Sequence, residues 1–202
     1  VLIALFCFLL IIPPSESLVY RTEADGKIGS ITVASKKDSS GYLVLYVSDR
    51  EITAVLDTTD LSTRYIKKVI DGELVLEGRY NGGFNVYFNG HEYHYKGSDP
   101  IYDRHTLDFA LRQFDYHLGF KELFRLHVPE LTIVNAELEV LGETTVSTDL
   151  GIIDCWEVQM KPRVIFTNRR FFFYIEREYP HRFVKYTDSS GKNIITLIKY
   201  KS

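Results

Sequence analysis

Paired turn residues at hairpin spacing constrain this chain more than any other feature. Asp71-Gly72, Asn81-Gly82-Gly83 and Asn89-Gly90 separate short runs at 65–70, 74–80, 84–88 and 92–96. Asp, Asn and Gly tolerate the positive φ that a tight hairpin turn demands. Strands set this close together leave no room for crossover helices, so the segment predicts an antiparallel meander. The same pattern opens the chain: residues 18–32 read as a strand, a turn at Asp25-Gly26 and the start of a second strand, and 37–41 form another turn. Run 42–48 is apolar on both faces and suits a central strand covered on both sides. Run 52–57 continues the sheet and 58–62 is a polar corner. Gly78, Gly82, Gly83 and Gly90 are read as turn glycines, because no Gly-rich loop leads into a helix and no Lys-Ser or Lys-Thr follows.

One stretch departs from this pattern. Within Asp99 to His117, Leu107, Ala110, Leu111 and Phe114 recur at helical spacing, Asp103 is a candidate N-cap, and Arg112 lies off the most apolar line. An amphipathic helix over 103–117 is the expectation. After it, 120–127 is ambiguous. Residues 131–141 then read as a half-buried strand, with Thr132, Val134, Ala136, Leu138 and Val140 on one face and Asn135, Glu137 and Glu139 on the other. Gly142-Glu143 suggests a hairpin to 144–147, followed by strands at 152–161, 171–178, 182–187 and 193–199, with the pattern broken at 162–170. Phe171 to Ile175 is so apolar that it needs a central or covered position, most naturally under the helix. About seven strands precede the helix and five or six follow it. No linker divides them, which gives one β-rich domain over 18–202: meander 18–98, helix 103–117, second sheet segment 120–200.

Residues 1–17 carry an unbroken apolar run from Val1 to Ile12, then Pro13-Pro14 and Ser15-Glu16-Ser17. The run has the length of a signal-peptide core, and the small residues at 15 and 17 fit cleavage before Leu18, although a basic leader is missing. The expectation is therefore an exported, periplasmic or envelope-associated protein. Cleavage would leave Cys155 with no internal disulfide partner. The formal charge of −3, with no strongly basic region, argues against nucleic acid as a partner.

Catalytic and metal signatures are not evident. Cys155 sits in an apolar strand, where a thiol is inert. Glu137 and Glu139 share a strand face but read as solvated charges. His91 and His94 are three residues apart in a strand and so face opposite ways. His105, His117, His127 and His181 are scattered without a local partner that would make a triad. No metal or cofactor is expected, and an enzyme is the least favoured class.

Taken in order, the meander, Tyr102-Asp103 with Thr106-Leu107, Ala110-Leu111-Arg112, the strand ending Val140-Leu141-Gly142, Gly151 through Cys155, Phe173-Tyr174-Ile175-Glu176 and residues 179–186 resemble a family of exported bacterial proteins of unknown function. That β-rich family is similar to the periplasmic carriers and acceptors of outer-membrane lipoproteins, which hold acyl chains between sheet and helix. The resemblance implies a mainly β fold, a highly curved antiparallel sheet or incomplete barrel with one central helix packed against its concave face. It transfers no catalytic residue, and only Asp103, Arg112 and Pro180 match positions worth carrying over. The strand Phe171-Phe172-Phe173-Tyr174 is more aromatic than the family pattern.

The residues allow the same picture. The 14 Tyr and 13 Phe suit a solid sheet core and equally an apolar cavity. If a cavity exists, Leu107, Leu111 and Phe114 of the helix and Val134, Leu138, Phe171 and Phe173 of the strands are the candidate ligand contacts. Arg112 would either meet a headgroup or carboxylate, or pair with Asp103, Asp108 or Asp115. Two functional readings follow. One is non-catalytic binding or carriage of a lipid or other hydrophobic molecule. The other is a structural or interaction module of the envelope, with a solid core and an envelope protein as partner, docking through a sheet edge or the exposed helix face and marked by an exposed row such as Tyr93, Tyr95 or Tyr65.

Overall fold

The computed structural model describes residues 12–80, 83–97, 100–129, 132–164 and 169–202. Most of the apolar run 1–12, the turn residues Asn81 and Gly82, and the first residue of run 131–141 lie outside the described residues. Nine strands precede a helical segment: β1 (Ser15–Ala24), β2 (Lys27–Lys37), β3 (Tyr42–Val47), β4 (Arg50–Leu56), β5 (Thr63–Ile70), β6 (Glu73–Tyr80), β7 (Phe84–Phe88), β8 (His91–Tyr95) and β9 (Ile101–Asp103). Six follow it: β10 (Lys121–Val128), β11 (Thr132–Thr148), β12 (Gly151–Pro162), β13 (Phe171–Glu176), β14 (Phe183–Asp188) and β15 (Asn193–Lys201).

All of these strands join one sheet in the order β8-β7-β6-β5-β4-β3-β2-β1-β15-β14-β13-β12-β11-β10-β9. Every neighbouring pair is antiparallel except β9 on β10. The hairpin grammar is the cause. Asp25 and Gly26, Asp71 and Gly72, and Asn89 and Gly90 all take positive φ, between 47° and 86°, the conformation that two-residue hairpin loops require. The sheet is not closed, but its edges approach. His127 of β10 packs edge-on against Phe84 of β7 at 4.8 Å and against Tyr95 of β8 at 5.8 Å. Thr63 of β5 accepts the Asp103 N–H of β9 at 2.9 Å. The result is an incomplete barrel.

Several expectations are corrected. Gly142 does not turn the chain: β11 runs through it as a 17-residue strand with a bulge between Val140 and Gly142 in its pairing with β12. An extra residue on one strand is absorbed as a kink rather than a reversal. Gly78 lies inside β6, where the Phe84 ring occupies the space a side chain would need, with Phe84 Cζ 2.8 Å from an ideal Cβ position. Run 42–48 is covered on one face only. Tyr42, Val44 and Tyr46 are buried, whereas Leu43, Leu45 and Val47 are about 40 % exposed on the convex side, which no second layer covers among the described residues. Among the described residues, no helix is long and apolar enough to cross a membrane.

The helix is shorter and more enclosed than its spacing predicts. A 3₁₀ turn at Arg104–Thr106 leads into a single α-helical turn, α1 (Leu107–Ala110), and a second 3₁₀ turn at Leu111–Gln113. Asp103 does cap it, accepting the His105 N–H at 2.8 Å. Phe109 and Arg112, both off the expected apolar line, are as buried as Leu107 and Leu111. Inside a rolled sheet most of the segment meets protein, leaving Arg104 exposed at its start and Asp108 at the open interior.

Candidate functional site

Antiparallel pairing places alternate turns at opposite ends of the sheet. Ala24 of β1 pairs with Asn193 of β15, Phe171 of β13 pairs with Asp188 of β14, and Asp103 of β9 runs beside His127 of β10. The β3–β4 turn at 48–49, the β12–β13 connection, the β14–β15 turn and the start of the helical segment therefore share one end. At that end the interior opens into a cavity of about 960 Å³, at the top of the ~300–1,000 Å³ usual for small-molecule sites.

The wall is built by alternation along the strands. Ile31 and Val33 of β2, Ile52 of β4, Leu126 of β10, Met160 of β12 and Ile195 of β15 supply aliphatic and thioether surface. Phe171 and Phe173 of β13, Phe183 and Tyr186 of β14, and Tyr20 of β1 supply rings, and Leu107 of α1 closes one side. Around the mouth stand Ser48, Arg50, Arg104, Arg169 and Asn193. Arg50 also donates through Nε to Asp49 at 3.0 Å.

One carboxyl faces this interior. Asp108 lines the wall and accepts the Tyr46 hydroxyl at 2.7 Å. Burial pushes its pKa up to about 6, against the lowering effects of the Tyr46 hydrogen bond and the Arg112 charge. Beside it, His105 belongs both to the wall and to a buried polar cluster. Asp103, with no exposed surface, is 2.7 Å from Nδ1 of His105 and 2.7 Å from Nδ1 of His127. Burial alone would raise the Asp103 pKa, but the two histidines hold it well below the usual carboxylate range. With Nδ1–H donating to Asp103, His105 Nε2 can accept from Lys68 Nζ, 3.4 Å away. Among the described residues, His127 Nε2 has no hydrogen-bond partner. The cluster fixes the start of the helical segment to β5 and β10. The Thr63 and Thr106 hydroxyls bond to the Asp103 backbone, Thr63 as acceptor of its N–H and Thr106 as donor to its carbonyl.

The opposite end is plugged. Arg112 donates to Glu16 through Nη1 and, at 3.3 Å, through Nη2. Its Nε donates to the Pro180 carbonyl at 3.1 Å, and its guanidinium lies 4.8 Å from the Phe109 ring centroid. Phe114, Tyr116 and Phe120 pack around this end with ring centroids 5.2–6.1 Å apart. The candidate contacts therefore divide. Leu107, Val134, Phe171 and Phe173 line the cavity. Leu111 and Leu138 are in solid core, Phe114 belongs to the plug, and Arg112 pairs with Glu16 rather than with any of the three aspartates expected as its alternatives. Arg112 and Pro180, matched separately in the sequence, prove to be direct partners.

Glu16 also bears on the N-terminus. Ser15 to Ser17 are the first residues of β1, so cleavage before Leu18 would remove the partner of Arg112. Other expectations can be placed directly. Glu137 and Glu139 sit on the outer face with Arg163 and Lys121 as partners. Cys155 is buried and unpaired with another cysteine, and burial pushes its thiol up to about 12. Tyr46 and the three arginines at the mouth are among the site residues that the sequence did not single out, and Asp108 entered only as a possible partner of Arg112. Tyr46 and Asp108 are 62 residues apart, so no local spacing links them.

No known family model matches the chain, and no curated protein matches it significantly in sequence. Solved structures do match. A β-barrel-like protein of domain of unknown function DUF1849 from Brucella abortus is similar at a TM-score of 0.57 and 16% identity, over 93% of this chain and 97% of that one. More distant are the MucA/MucB complex of Pseudomonas aeruginosa, at 0.39 and 12% over 93% and 51%, and a DUF1329 family protein from Desulfovibrio piger, at 0.27 and 13% over 95% and 87%. The first likeness is one of fold: a β-rich, barrel-like architecture found in bacterial proteins of unknown function.

Proposed function

We propose that this chain is a non-catalytic binding protein for a lipid or other hydrophobic molecule, acting in the bacterial cell envelope. The supporting observation is the cavity itself: apolar side chains of β2, β4, β10, β12, β13 and β15, packed on one another in the core, also border about 960 Å³ of cavity. An acyl chain entering there would exchange water for aliphatic and aromatic surface, a gain of roughly 0.8 kcal/mol per buried CH₂. Phe171 and Phe173 then have a use beyond sheet packing. An envelope location is supported by the apolar run 1–12. Processing that keeps the Arg112 pair would leave Glu16 on the exported chain.

Native mass spectrometry of the protein purified gently from its own envelope tests this reading. The expected result is a copurifying hydrophobic mass lost on denaturation. A clean apo mass, together with no uptake of fatty acids or fluorescent lipid probes, would refute it.

A further inference from the structure

The charge around the cavity runs against the charge of the chain. The protein carries a net −3, yet the charged side chains among the described residues lining the cavity include Arg50, Arg104 and Arg169 against the carboxyl of Asp108, with Asp49 paired to Arg50 at the rim. These arginines are not spread along the wall. Arg50 starts β4, Arg104 starts the helical segment and Arg169 precedes β13, so three separate connections bring them to the mouth end. Lys68 adds a further cation behind His105. Asp108 lies four residues past Arg104 and already accepts the Tyr46 hydroxyl.

We propose that the cavity takes an anionic amphiphile, with its hydrocarbon chain against Phe171, Phe173 and Ile195 and its acid group at the mouth among Arg50, Arg104 and Arg169. This rests on the hydrophobic-ligand reading above and adds the chemistry of the head. All three arginines are exposed, so an acid arriving there keeps part of its hydration while gaining charge-assisted, fork-shaped hydrogen bonds. An alcohol or ester of the same chain can accept a hydrogen bond from a guanidinium but brings neither the negative charge nor the paired carboxylate oxygens. An ammonium head would be repelled at the mouth and could find a counter-charge only deeper, at Asp108.

The test is competition against bound cis-parinaric acid at pH 8, below the aggregation concentration of each competitor, with four C18 compounds of matched chain: oleate, oleyl alcohol, oleylamine and oleoyl lysophosphatidylglycerol. One or both anions should bind at least about tenfold more tightly than the alcohol, a preference that weakens as salt rises. Their order separates a carboxylate from a phosphate head. In the triple variant Arg50→Gln, Arg104→Gln, Arg169→Gln the anion and alcohol affinities should converge while the alcohol affinity holds. The salt dependence of the unmodified protein keeps the test independent of any folding defect in the variant. Equal binding of anions and alcohol, or preference for the amine, overturns the assignment of the head and leaves the hydrophobic site standing. Failure of every C18 compound to bind overturns both.

Discussion

Glu16→Ala should destabilise this protein far more than the loss of an ordinary surface ion pair. The side chains of Glu16 and Arg112 are 0% and 2% exposed, and they join the first strand to the helical segment across 96 residues. Removing the carboxylate strands the guanidinium with one neutral acceptor, the Pro180 carbonyl, and the face of Phe109. Breaking one partner out of a buried pair costs about 3–5 kcal/mol, because the remaining charge stays desolvated, whereas an exposed pair contributes up to about 1 kcal/mol. With a urea m-value of about 2–3 kcal/mol/M, a 4 kcal/mol loss lowers the midpoint by roughly 1.5 M at unchanged m. Replacing both residues, as Glu16→Met with Arg112→Met, removes the uncompensated charge, so the double variant should recover most of the stability lost by the single one. A midpoint shift equivalent to less than about 1 kcal/mol for Glu16→Ala, or a double variant as damaged as the sum of the two singles, would refute this account. The far end of the barrel would then be held by its aromatic plug alone.

A chain starting at Leu18 should show the same loss, measured by the same denaturation, because it lacks Glu16 and the first three positions of β1. Asp108→Asn tests the carboxyl in the wall. Between about pH 4, where an unfolded aspartate ionises, and about pH 6, where the native group does, the unfolded chain has lost a proton that the native chain keeps. Stability therefore falls as pH rises through that window and levels off above it, by at most about 2–3 kcal/mol. Melting curves of Asp108→Asn should lack this slope and, at pH 7, sit at or above those of the unmodified protein. Asp103 acts in the opposite sense. Its lowered pKa contributes stability that is present above about pH 4 and is lost as pH falls through the native value, so Asp103→Asn should lose roughly 2–4 kcal/mol at pH 7, with a smaller deficit at pH 3. Ile195→Trp fills the cavity from β15 and should abolish uptake of fluorescent lipid probes while leaving the circular dichroism of the sheet intact.

What could be read from the sequence was local, and what could not was set by closure. Asp71-Gly72 and Asn89-Gly90 need positive φ whatever surrounds them, so their hairpins were legible. Gly142 carries no such need: whether it turns the chain or bulges it depends on β12 alongside. That error propagates. In an antiparallel sheet a false hairpin reverses the parity of every later turn, moving the β12–β13 connection with Arg169 to the wrong end of the barrel. It thereby hides the convergence of Arg50, Arg104 and Arg169. Helical spacing misled in a related way. It grouped Leu107 and Leu111 on one face, and that grouping is geometrically sound. Yet four residues of helix advance the chain by about 6 Å, and the segment descends from the mouth, where Arg104 stands, toward the plug, where Arg112 meets Glu16. Leu107 therefore borders open space, while Leu111 is sealed in the core. In a rolled sheet the face of an inner helix does not by itself separate pocket from packing, since Leu107 and Leu111 share a face and are both buried. Depth along the barrel does, and depth is fixed by pairings between strands far apart in the chain.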